Sequence, residues 1–226
     1  MGARADAVGA DRRIAAHWPF VGSNYRGLMI VGQALERWDS PESTAVWHIG
    51  EARTEEGRES VLRGAQAWAT REREPITEAM RHGNRKGTPF WTFSQRAAEQ
   101  LEPDAGGPWL SRYAWWNLYP IGWQDRHGTP TGDLHAAQTP FVAELFWAVA
   151  EELEVKRLLL VSGKGWWWNV RELLGLHALT PGSMPVIASG KVRGITVVAT
   201  YHPGAHIKGG TRVGFAQAAV DAMKSI

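Results

Sequence analysis

A chain of 226 residues and 25.0 kDa is long enough to bury one sizeable α/β core and short for two. Its 44% hydrophobic content and mean hydropathy of -0.30 are those of an ordinary globular protein, and no apolar run approaches the ~20 residues needed to span a bilayer. The lack of cysteine excludes disulfides, thiolate metal sites and cysteine-ligated iron–sulfur clusters, and the formal net charge of +2 is too small to imply a polyanionic partner by itself.

The first 16 residues read as loosely ordered, with no apolar core of signal-peptide length, so an intracellular, cytoplasmic chain is expected. Residues 25–32, YRGLMIVG, then read as a short buried strand ending in glycine, followed by a turn from Gly32 and Gln33 through Glu36. A strand, a glycine and then polar groups suits a ligand-binding loop, although the full G-x-G-x-x-G pattern is missing. Residues 41–101 read as mostly helical, with Val61, Leu62, Ala65, Trp68 and Ala69 at helical spacing. Residues 81–92, RHGNRKGTPFWT, interrupt the helices, and there Phe90 or Trp91 either walls a pocket or anchors a loop to the core. A helix resumes at Ser94 and ends before Pro103.

Residues 112–118, RYAWWNL, read as a second strand with Asn117 near its carboxyl end. An amide there can read an amide-like ligand edge or simply cap a turn. A long loop over 120–131 precedes an amphipathic helix over 132–153, with Phe141, Leu145, Val149 and Leu153 on one face. Residues 157–162, RLLLVS, form the third strand, ending in Gly163-Lys164-Gly165 without P-loop spacing. Trp166, Trp167 and Trp168 follow on a helix whose residues turn about 100° apart, so all three cannot face one core. At least one lies near the surface or lines a cleft, where it can stack on a base or fill a subunit contact.

The closing stretch is the most informative. Residues 182–190 pair with 191–200 as a hairpin that delivers a β-branched fourth strand, Ile195 to Thr200, and this runs straight into Tyr201, His202 and Pro203. A last helix follows over 211–223. From residue 181 onward five cations, Lys191, Arg193, Lys208, Arg212 and Lys224, face the single carboxylate of Asp221. Such a patch beside the His202 loop suits phosphate contact, or is a solvated face.

Strands alternating with helices imply a single α/β domain of three layers, α/β/α, around a central, mainly parallel four-stranded sheet. Gly32 with Gln33, Asn117, Gly163 and His202 then stand at carboxyl ends of strands, where open α/β sheets bind ligands. With aromatics and positive charge nearby, these groups describe a pocket for one extruded base.

On VGQAL after the first strand, WNL at the second, RLLLVSGKG at the third and ATYHPG at the fourth, residues 27–215 resemble the uracil-DNA glycosylase superfamily, as a divergent member without a cysteine-ligated iron–sulfur cluster. The resemblance implies a DNA glycosylase of base excision repair, a DNA partner, no metal and no cofactor, and a monomer. Asn117 matches the residue that reads the uracil edge and His202 the one that stabilises the departing base, with Gly32 beside the substrate and Phe90 or Trp91 as the stacking aromatic. Two departures stand out. The first loop lacks the usual carboxylate or asparagine and its proline, which leaves Gln33 or Glu36 to handle water; and Gly204-Ala205 follow His202-Pro203 where Ser-Pro is more usual. His206, Ile207, Lys208 and Arg212 are the candidates for DNA contact, as wedge and phosphate partners. A lesion-binding protein without catalysis and a hydrolase of free nucleosides or nucleotides are the alternatives on the same fold.

Overall fold

The computed structural model describes residues 13–16, 19–34, 46–48, 89–123, 132–161, 163–204 and 212–226. It is an α/β fold built on a seven-stranded sheet, in which Leu28–Ala34 (β3), Arg157–Leu160 (β7) and Ile195–Thr200 (β10) run parallel, with β7 in the middle. Apolar residues dominate all three because both faces are covered. Leu28 to Val31, Leu158 to Val161 and Val197 to Ala199 are buried, and each fully buried aliphatic side chain contributes about 2 kcal/mol.

The sheet continues on both sides of this core. Beyond β3 lie Ala114–Tyr119 (β5) and the two-residue edge strand Phe20–Val21 (β2), which pairs antiparallel with β5. Beyond β10 lie Val186–Val192 (β9) and Thr180–Pro181 (β8), both antiparallel. The four expected strands are thus β3, β5, β7 and β10, but the sheet has seven, since β2, β8 and β9 extend it. The chain steps from β3 to β5 on one side and then to β7 on the other, so the topological switch point lies between β3 and β7.

A separate three-stranded antiparallel sheet joins Val46–His48 (β4), Arg13–Ala16 (β1) and Ile121–Trp123 (β6). Residues 13–16 are therefore a strand rather than a loose end, and 121–123 are a strand rather than loop. Gln138 braces β6. Its side-chain oxygen accepts the Ile121 N–H at 2.9 Å, and its amide donates to Ile121 O at 2.8 Å and to Leu134 O at 3.2 Å.

Four helices are described: Pro89–Leu101 (α1), Asp133–Glu152 (α2), Lys164–Leu173 (α3) and Arg212–Lys224 (α4). Helices α1 and α4 pack together through stripes of identical spacing, Phe93, Ser94, Ala97, Ala98 and Leu101 against Phe215, Ala216, Ala219, Val220 and Met223. The alanines let the two backbones approach closely. In α2 the buried row is Leu134, Gln138, Val142, Phe146 and Ala150, while Phe141, Leu145, Val149 and Leu153 are half-buried. The helix is apolar around much of its girth, so periodicity placed its inner face one residue off. The helix expected over 61–69 lies outside the described residues.

By backbone contacts the chain forms two compact units, Met1–Pro19, Gln33–Met80 and Asn117–Glu144 in one, Phe20–Gly32, Arg81–Trp116 and Leu145–Ile226 in the other. At the amino end of β7, in the second unit, Arg157 forms an ion pair with the buried Glu102 and donates to Leu101 O at 2.8 Å. Burial pushes the Glu102 carboxyl up, opposed by the charges of Arg157, Arg26 and Lys156. An acid whose pKa is raised by folding holds its proton more readily when native, so stability falls as pH rises through that window. Arg157→Ala strips away the chief opposing charge. It should cost about 3 kcal/mol in urea unfolding at neutral pH, part of which returns as pH is lowered through the carboxylate range.

Candidate active site

The carboxyl ends of the parallel strands are tied together by backbone bonds that continue past the strands. Val161 N–H donates to Val31 O at 2.8 Å, Gly163 N–H to Thr200 O at 3.1 Å, and Tyr201 N–H to Pro185 O at 3.0 Å. Buried backbone groups need partners, and these bonds hold the segment leading into His202 against its neighbours.

His202 follows β10 as a half-buried residue, with Pro203 buried beneath the turn. The backbone N–H of Gly204 donates to its Nδ1 at 3.1 Å. A ring nitrogen that accepts carries no proton, so an uncharged imidazole in this geometry has its hydrogen on Nε2. A side chain at position 204 would be a tight fit. A Cβ on it would lie 3.1 Å from Nδ1 and 3.3 Å from Cε1 of His202, and 3.6 Å from Cγ of Pro89.

That last distance brings the start of α1 beside the histidine turn. Pro89 opens the helix, where its missing N–H costs nothing and its fixed φ suits the first turn. Phe90 and Trp91 therefore sit on the first turn of a helix, not in a loop. Their rings form a cluster with Trp115 of β5: Phe90 to Trp91 at 4.9 Å and Trp91 to Trp115 at 5.0 Å, both edge-to-face, and Phe90 to Trp115 at 6.3 Å. Each such pair contributes about 1 kcal/mol beyond burial. Phe90 and Trp91 keep part of their surface exposed while Trp115 is buried.

The other expected site residues stand as follows. Asn117 lies within β5, 5% exposed, and shares by alternation the face of that strand with Trp115 and Tyr119. Gly32 is buried, and it and Gln33 belong to β3 rather than to the turn after it. The strand thus holds two more residues than the glycine suggests. Arg212 begins α4, with its backbone alone described. Glu36, His206, Ile207 and Lys208 lie outside the described residues.

In the second unit the structure thus brings together His202, Gly204 and the first turn of α1 with its aromatics. Sequence reasoning missed Trp115 and the role of the Gly204 N–H. The Pro-Gly pair after His202 was the available signal for the latter. Among the described residues no three His, Asp or Glu side chains gather as a metal would require, and no helix is long and apolar enough to cross a membrane. No family model, curated protein or solved structure matches the chain.

The geometry of His202 has a spectroscopic consequence. Nitrogen-15 correlations of the imidazole at neutral pH should show the Nε2-protonated tautomer with an unprotonated Nδ1 in the wild type. In Gly204→Pro, which deletes the donor, the two ring-nitrogen shifts should move toward an average.

Proposed function

We propose that the protein is a DNA glycosylase that flips uracil or a related damaged pyrimidine out of DNA and hydrolyses its N-glycosidic bond. The observation that carries the reading is the His202 imidazole, whose Nδ1 accepts the Gly204 N–H, beside a helix start bearing two half-exposed aromatics. A neutral donor fits an anionic leaving group: it can strengthen its hydrogen bond as charge grows without first giving up a proton.

In this reading the C1′–N1 bond breaks ahead of water attack, and its electron pair leaves with the base. His202 donates from Nε2 to O2 of that base as the charge develops. Phe90 or Trp91 stacks on the flipped ring, and Asn117 bonds its N3–H and O4 edge. Water adds to C1′ and loses a proton to solvent or a neighbouring base, Gln33 holding it in position or Glu36 reaching in. Gln33 cannot itself take up that proton as a carboxylate would, so the chemistry leans on stabilising the leaving group. A three-layer α/β/α arrangement around the parallel strands belongs to the same proposal.

Single-turnover assays at enzyme excess test it directly. With oligonucleotides bearing uracil, hydroxymethyluracil, hypoxanthine or a thymine mismatch, abasic sites are revealed by alkali. At least one should be cleaved, and His202→Ala should lower that rate by about 100-fold or more, the usual effect of losing one well-placed donor. Asn117→Ala should lower it as well and change the preference among bases. Unchanged rates in both variants would overturn the assignment. Tight uracil-DNA binding without abasic product would favour a lesion binder.

A further inference from the structure

Three consecutive tryptophans open α3, and the fold treats each differently. Trp167 is buried, Trp166 is half-buried, and Trp168 is 58% exposed, more than any other large aromatic among the described residues. An indole left this open forfeits much of the stabilisation that burying it would give. The helix is anchored without it, by Trp167 and Val170 on its inner side.

The surroundings of Trp168 are basic. Lys164 stands one turn before it, exposed, and the guanidinium carbon of Arg171 lies 5.8 Å from the centre of its ring. The first turn of α3 has no acidic residue and no side-chain cap. The one carboxylate on the helix, Glu172, has His177 Nδ1 at 3.6 Å. Gly165, on the same outer side, would meet nothing within 4 Å even with a Cβ, so the approach to the ring is open there. The helix also starts at the functional edge of the sheet, since Gly163 N–H is bonded to Thr200 O, two residues before His202.

We infer that the outer face of α3 is a stacking platform for an unpaired nucleic-acid strand: Trp168 lies against the face of one base, while Lys164 and Arg171 contact the phosphates on either side. Charge complementarity selects a polyanion, and the exposed indole, with Arg171 over one face, selects one with exposed planar faces, which duplex DNA does not present. Such a platform would hold the strand outside the base pocket without reading its sequence. The choice of partner rests on the proposed nucleic-acid function, while the platform itself uses none of the residues assigned to chemistry.

The test uses full-length protein and a fluorescein-labelled oligothymidine without damage, read by anisotropy over a salt series. Trp168→Ala should weaken binding about tenfold, and Trp168→Phe should keep most of the affinity. Lys164→Ala and Arg171→Ala should each lower the slope of log affinity against log salt by about 0.7. Absence of oligothymidine binding by the wild type, or wild-type affinity in Trp168→Ala, would overturn the inference. So would an equal dependence of duplex binding on Trp168, or loss of self-association in Trp168→Ala at unchanged oligothymidine affinity by sedimentation. If no lesion is excised while oligothymidine binding still depends on Trp168, the platform stands and the glycosylase reading falls.

Discussion

The hydrogen-bond ladder of β3, β7 and β10 outlasts the strands themselves, and the candidate site depends on that excess. Where a parallel sheet ends, its last carbonyls and N–H groups still need partners, and here the segments leaving β7 and β10 find them on or next to neighbouring strands. Val161 bonds Val31, Gly163 bonds Thr200, and Tyr201 bonds Pro185. Each bond ties a segment that leaves β7 or β10 to a residue in or next to a neighbouring strand, so the histidine turn is held by bonds that continue those of the core. A site on such exits inherits the precision of the sheet without belonging to it.

From that frame follows a division of work around His202. The backbone N–H of Gly204 donates to Nδ1 of the ring, and the start of α1 stands beside the same turn. Neither contribution comes from an ionised side chain. Fixed N–H groups and dipoles need no rearrangement when charge appears nearby, which suits the proposed reaction with its anionic leaving group.

The sequence showed strands and their exits more clearly than it showed helix starts and short edges. Ile195 to Thr200 was legible because a β-branched, unbroken apolar run has few other uses, and His202 was legible by following it. Phe90 and Trp91 look like loop residues because glycines and a proline precede them, although proline also opens helices, as Pro89 does here. Gly32 reads as the end of a strand, yet β3 runs on to Ala34, past the last residue that pairs with β7. β2 and β8 have two residues each and no period to detect. Trp115 was unreadable as a site residue, since a tryptophan on a buried strand looks the same whether or not it touches the aromatics of another element.

The clasp of Gln138 on Ile121 bears on how the protein behaves in a crowded solution. β6 is the outer strand of its small sheet, and an outer strand offers its N–H and C=O groups to any extended chain that drifts past. At Ile121 a helix side chain already occupies both groups, imitating the neighbour that would otherwise dock. One glutamine thus blunts that rim against strand addition and fibril growth, with no need for a charged residue or a proline at the position.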